Sequence, residues 1–406
     1  MAATSGGTAI LRNLLSLTGR YVVPERRMIL MGADIRHMLF ATAVMTLSSV
    51  VSFSAEVPAF IVGEREVIAT KEQRDALGLK CFMDGNVGVL TSSDDVRLYG
   101  ANGREPVRVI GRRGNPLQRV DRVSIATSNQ DFQYLAGGPL FRDPKSSRLF
   151  LFYHAEIHRG TAKNFYSVLG LAIQTDEHGL KFKDVGPIFV ANIPNANAQS
   201  SVEVCGSPYI IRDGYFYVYA RDVMTDGPDG RLRQSNLSVA RAEVEEVVRA
   251  GIDGKSAKWT KYYNGAFSEP AVGGKSSPLE GGNPGTRWMD ISYNATLDKV
   301  IMVVSANTSA HDVELFITSS DDGIHWADRR RLAAEKGEAF YPSIVGFLDD
   351  PRRTENEFYV YYTFSTIGGW GRWNDAAMVR RKIVFADITH NKTAQVTARK
   401  PTDPDR

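Results

Sequence analysis

Glu203 lies in Ser201-Val202-Glu203-Val204-Cys205-Gly206-Ser207-Pro208, directly before an apolar run that leads to Tyr215–Tyr219 (YFYVY). A carboxyl group among apolar and thiol neighbours is suited to holding its proton above the usual carboxylate range, which is what a general acid needs. Asp84, in Lys80-Cys81-Phe82-Met83-Asp84-Gly85, opens an earlier run of the same kind. Each has a plainer use: Glu203 as a strand end facing water, Asp84 as an Asp-Gly turn residue. Further acids fall near similar runs: Asp131, Glu156 beside His154 (YHAE), Glu269 in Phe267-Ser268-Glu269-Pro270, and Asp290 in Trp288-Met289-Asp290. Around them stand Tyr134, Tyr209, Trp288, Tyr341 and Trp370, rings able to stack on a flat apolar ligand face, although packing is the commoner use of any one of them. His158 and Arg287 are candidates for hydroxyl or carboxylate binding.

The elements that must position these groups read as strands. The chain has 406 residues, 43% apolar and 10% aromatic, with 36 glycines and 17 prolines. After Glu56, short runs rich in Tyr, Phe, Val and Ile alternate with Gly, Asp, Asn and Pro clusters, as in VIMVV (300–304) and FYVYY (358–362). Helical periodicity is scarce; ARAEVEEVVRA (240–250) predicts one surface helix. The chain also repeats itself. LAIQTDEHGLKF (171–182) aligns without a gap on LFITSSDDGIHW (315–326), Gly179 on Gly323 and Phe182 on Trp326. A second unit, an apolar strand, a polar turn and an aromatic strand, recurs from Gly137, Gly206, Trp288 and Phe340. Spacings near 70 residues over the roughly 350 after Glu56 predict an all-β, five-bladed β-propeller in residues 56–406, each repeat supplying a blade's two inner strands.

Two stretches carry resemblances. Ser319-x-Asp321-x-Gly323-x-His325-Trp326 looks like the Asp-box of sialidases and related propellers, with His325 where threonine is usual. Ser319 and Asp321 are expected to tie its turn and Trp326 to pack between blades, a structural task. The glutamate, proline and YFYVY order around Glu203 resembles the general-acid strand of the five-bladed propeller glycoside hydrolases, the arabinanases, β-xylosidases, invertases and levanases. The resemblance implies that Glu203 protonates a glycosidic oxygen and that Asp84 is base or nucleophile. It implies a third carboxylate in the second blade, for which Asp290, Glu156, Glu269 and Asp131 are the candidates, with Asp290 also counted among the catalytic acids. Substrate contacts are then expected from His154, Glu156, Tyr134, Trp288, Tyr341 and Glu269. The implied function is an exported hydrolase of a poly- or oligosaccharide. The rivals are a propeller that binds a glycan or protein without catalysis, and a six-bladed sialidase-like enzyme. One well-formed Asp-box and arginines without the pattern of a carboxylate clamp weigh against the second.

Met38–Val51 (MLFATAVMTLSSVV) follows Arg36-His37 and precedes Ser52-Phe53-Ser54-Ala55, the layout of a secretory signal peptide within a leader region 1–55. The mature protein is therefore expected to be secreted or periplasmic, free of the membrane, and monomeric. A net charge of +3 gives no footing for nucleic acid. No cofactor is expected. Asp226-Gly227-Pro228-Asp229-Gly230 leaves room for a structural calcium ion but lacks the length and terminal glutamate of an EF-hand. Cys81 and Cys205 are open to pairing in an oxidising compartment or to burial as free thiols.

Overall fold

The structure, a computed structural model, describes residues 56–386 apart from 199, 226–232, 280–284, 310–311 and 351. The leader region 1–55, the Asp226–Gly230 segment and residues 387–406 lie outside the described residues, as does the side chain of Trp370.

The fold is all-β. Phe150-Leu151-Phe152-Tyr153 shows why: the four consecutive residues are buried, so both faces of their strand meet protein. Burying side chains of this size stabilises the fold by roughly 1.5–3 kcal/mol each. The strands form four sheets among the described residues. One is a meander of Gly88–Ser92, Asp95–Asn102, Glu105–Arg112 and Asn115–Arg122. The next runs Tyr134–Arg142, Leu149–Arg159, Thr161–Gln174 and Lys181–Phe189, with Ser124–Ala126 added in parallel outside. The third begins Tyr209–Arg212, Tyr215–Met224 and Arg233–Glu243. The largest sheet contains two antiparallel runs joined by a single parallel residue pair, Val313 with Glu338. The first run starts with Thr286–Asn294 and Lys299–Asn307. The second is Glu338–Val345, Glu357–Ser365 and Ala377–Phe385. Phe60–Val62 and Glu66–Ala69, from the start of the described chain, pair antiparallel with Ala377–Phe385 near its end.

The repeated sequence units are repeated structural units. Each apolar strand pairs antiparallel with the aromatic strand after it. Asp176 accepts from the N–H groups of Leu180 and Lys181 at 3.0 and 2.9 Å, closing the turn from Thr161–Gln174 into Lys181–Phe189. The equivalent turn after Val313–Ser320 corrects the expected register by one residue. Ser320 accepts from Gly323 N–H at 2.8 Å, and Asp322 accepts from Ile324 and His325 N–H at 2.8 Å each. Asp321 instead meets Lys299 and Arg212, and Ser319 is buried. Gly323 has φ +78°, and a Cβ there would lie 2.5 Å from the Tyr219 hydroxyl, which donates to the Gly323 carbonyl. Trp326 meets Tyr219 edge-on at 6.0 Å, so this turn joins neighbouring sheets as expected.

The helix expected at 240–250 is also corrected. Residues 240–243 complete the strand Arg233–Glu243, where Ala240 pairs with Val218 and Ala242 with Phe216. The helix is Val244–Ile252, and its Gly251 sits so close to Phe150 that a Cβ would come within 2.7 Å.

The starts of the first strands of the repeated units meet. Asn86 donates through its amide to the Met289 and Pro342 carbonyls at 2.7 and 2.9 Å, and Val87 N–H donates to Ser343 Oγ at 3.2 Å. A Cβ on Gly138 would touch Asn86 and Ser207, and one on Gly206 would lie 2.8 Å from the Met289 sulfur. Segments far apart in sequence thus converge, and Asp84, Glu156 and Glu203 sit at that convergence.

Candidate active site

A cavity of about 500 Å³ opens where these segments meet. Its lining includes Asp84, Glu156 and Glu203, together with Tyr134, Trp288 and Tyr341. A groove of about 560 Å³ lies around Asp176, Glu177 and Asp253, but no aromatic ring lines it and no buried acid faces it.

Backbone irregularities aim side chains at the cavity. The pairing of Tyr134–Arg142 shifts between Gly137 and Leu140, that of Thr286–Asn294 between Thr286 and Trp288, and that of Glu338–Val345 between Phe340 and Ser343. Arg287 and Tyr341 occupy two of these bulges, where an extra residue can be turned out of the sheet. Tyr341 has φ +55°, the left-handed region that side chains of this size seldom adopt.

Asp84 is held by two hydroxyls: Tyr341 donates to one oxygen at 2.9 Å and Tyr134 to the other at 3.2 Å. Burial pushes its carboxyl above the ordinary aspartate value, and the nearby Glu156 charge adds to this. The two hydroxyls and the Arg372 charge pull it back without cancelling the effect. Burial and the Asp84 charge keep both phenols protonated and therefore able to donate.

Glu203 is less enclosed. Its carboxylate is paired with Arg221, and its side chain is 38% exposed. Burial, with the Arg287 charge beside it, lowers Arg221 to about 10. Glu156 lies between two histidines on one face of its strand, 3.2 Å from His154 Nε2 and 2.7 Å from His158 Nε2. Burial pushes its carboxyl up, but the hydrogen bonds and charge of the histidines outweigh it and hold it below the ordinary value. Tyr134 packs edge-on to His154 at 5.8 Å, linking this trio to Asp84. Trp288 is wedged against Tyr341 and Phe340, at 4.6 and 4.9 Å between ring centres.

The structure therefore brings Glu203, Asp84, His154, Glu156, Tyr134, Trp288 and Tyr341 around one cavity, with His158 and Arg287. Three candidates lie elsewhere. Asp290 is fully buried, gripped by Arg352 at 2.7 and 3.2 Å and by Ile344 N–H at 2.5 Å, with no oxygen turned to the cavity. Glu269 is on the strand Ala266–Pro270 and accepts from Lys275 N–H. Asp131 is exposed on a loop. Among the acids proposed for the third position, Glu156 is the one in the cavity wall. Tyr209 is a packing residue; its hydroxyl donates to the Leu140 carbonyl at 2.8 Å.

Cys81 and Cys205 are both free thiols. Burial pushes Cys205 up to about 12, so it lines the cavity as an inert neighbour of Glu203. No group of three His, Cys, Asp or Glu side chains with metal-binding geometry occurs among the described residues. No described helix is long and apolar enough to cross a membrane.

Of the arginines, Arg287 was legible in the sequence, and Arg104, Arg221 and Arg372 were not. Arg221 and Arg372 line the cavity with Arg287, and Arg104 stands at its edge. Their signal was positional only: Arg221 ends the YFYVYA run, and Arg372 follows the Gly-Gly-Trp segment 368–370.

No protein-family profile matches the chain, and no curated protein does. Solved structures do. The catalytic domain of a family 62 α-L-arabinofuranosidase from Coprinopsis cinerea is 8% identical over 81% of this chain and 98% of that one, with a TM-score of 0.49. An α-L-arabinanase from Cellvibrio cellulosa is 10% identical over 73% and 90%, with a TM-score of 0.44. A family 117 glycoside hydrolase from Zobellia galactanivorans is 10% identical over 79% and 94%, with a TM-score of 0.43. Likeness at this level bears on neither activity nor substrate.

Proposed function

We propose that the protein is a glycoside hydrolase in which Asp84 and Glu203 flank the scissile bond of a poly- or oligosaccharide. The observation that carries this reading is the presence of both carboxyl groups, in unlike surroundings, on one cavity beside the Trp288 ring. Hydrolysis needs that inequality: one carboxyl gives a proton to the leaving oxygen, while the other takes a proton from water or attacks the anomeric carbon.

The surroundings suggest a division of roles opposite to the one the resemblance implies. Asp84 is enclosed and holds its proton above the ordinary value, the condition of a donor. Glu203 is paired with a guanidinium and open to solvent, the condition of a carboxylate that activates water. Glu156, held ionised by its histidines, supports protonation of Asp84 through like-charge repulsion.

The scaffold of this reading is a five-bladed propeller. Its support is the recurrence of five antiparallel runs, the meeting of their first strands at Asn86, and the sealing of the last run by the first two strands. The leader-like segment 38–55 supports an exported protein.

The test is hydrolysis of a glycan panel and of aryl glycosides by residues 56–406, beside Asp84→Asn and Glu203→Gln. A good aryl leaving group needs no acid. Asp84→Asn should keep much of its activity on such substrates and lose it on natural glycosides, whereas Glu203→Gln should lose both. The reverse pattern would restore Glu203 as acid. Full activity in both variants would remove these residues from the chemistry.

A further inference from the structure

The cavity contains more positive charge than its own carboxylates offset. Four arginines line it, Arg104, Arg221, Arg287 and Arg372, against three acids. Of the acids, Glu203 pairs with Arg221, Glu156 is shared between His154 and His158, and Asp84 is bound by two phenols. No ion pair joins Arg287 or Arg372 to any described residue.

Both are nevertheless positioned. Arg372 lies 3.9 Å above the Phe340 ring, and its Nε donates to the Gly369 carbonyl at 2.8 Å. Arg287 projects from a bulge with its guanidinium over the Trp288 ring, 5.8 Å from the ring centre, close enough to Arg221 for the two charges to repel. Arg221 has in addition a buried Nε with no acceptor in the protein. Two guanidinium groups against a single carboxylate leave one positive charge uncompensated in a place partly cut off from water. Such a charge is costly unless something negative is brought to it.

We propose that the sugar bound in this cavity carries an anionic group, a ring carboxylate or a sulfate ester, clasped by Arg287 together with Arg221 and Arg372. The inference rests on the hydrolase reading only for the location of the sugar. Guanidinium groups suit planar or tetrahedral oxyanions through paired N–H donors, which a lysine would not provide. The anion also competes with Glu203 for Arg221, so substrate arrival alters the surroundings of the second carboxyl group.

The test is calorimetric binding to Asp84→Asn, in which cleavage is silenced, using short probes so that polyelectrolyte attraction is small. The probes are galacturonic acid disaccharide and trisaccharide, their neutral galactose counterparts, and galactose 6-sulfate disaccharide. At least tenfold tighter binding of a uronate or sulfate probe than of its neutral counterpart is expected, and which of them binds identifies the anion. Adding Arg287→Met should abolish that preference while leaving neutral probes unchanged, and Arg287→Lys should recover it only in part. Thermal unfolding shows whether each variant is folded. Equal binding of neutral and anionic probes, or a preference that survives Arg287→Met, overturns the proposal. Cleavage of neutral glycans with no anionic preference would sink this inference and leave the hydrolase standing. Anionic preference without cleavage of any glycan by the wild type would do the opposite.

Discussion

Asp84 shows how a single residue couples chemistry to stability. In the unfolded chain it gives up its proton at the ordinary aspartate value; in the fold it does so at higher pH. Between those values the folded state holds more protons, so stability falls as pH rises through that window. Asp84→Asn removes this penalty while its amide still bonds to the two phenols. The variant should therefore match the wild type below the window and melt higher above it in thermal scans. It should also be inactive on natural glycosides. Tyr341→Phe acts in the other direction. It deletes a donor that favours the ionised form, so Asp84 keeps its proton to still higher pH. With Asp84 as donor, the alkaline limb of the kcat/KM profile should move upward; an unmoved limb would count against that role.

At the scale of elements, turns and bulges determine what reaches the cavity. The Val313–Ser320 turn is tied by Ser320 and Asp322. Ser320→Ala and Asp322→Ala should each cost about 1 kcal/mol in denaturant unfolding, while Ser319→Ala and Asp321→Ala cost less. The sequence displays two serines and two aspartates in a row there, and the Ser-x-Asp spacing fits either register. Only the backbone N–H directions separate them. The repeated strand pairs were legible because short aromatic and apolar runs, set off by Gly, Asp, Asn and Pro clusters, are a local property. The helix boundary at Val244 was not, since ARAE fits a strand and a helix equally and pairing with Tyr215–Met224 decides. Asp84 and Glu203 were legible because they stand just before first strands. Asp290 satisfied the same rule and failed it in space, since it is within its strand and turned toward Arg352. Arg221 and Arg372 gave no pattern, because one only follows an aromatic run and the other lies in the short 3-10 turn Gly369–Asn374, neither of which sets a periodicity.

For the whole molecule, buried ion pairs join what lies far apart in the chain. The pair between Asp290 and Arg352 links Thr286–Asn294 to Glu338–Val345 by bonds to Ile344 on both sides. Asp290→Ala strands a guanidinium that is 6% exposed and should cost about 3–5 kcal/mol, measured by equilibrium unfolding. The protein that stays folded should keep its turnover number; a selective loss of kcat would return Asp290 to the chemistry.

The pairing of Phe60–Val62 and Glu66–Ala69 with Ala377–Phe385 also governs the order of events on the ribosome. Among the described strands, the earliest to emerge have as their partner the last to be made. At about 5–20 residues per second, they wait tens of seconds with their backbone groups unpaired. Every other run can form with neighbours already synthesised, so the finishing step is a single late capture that joins the head of the chain to its tail. A chain interrupted before Ala377 lacks the strand that both opening strands need, which leaves an open edge for another chain to occupy.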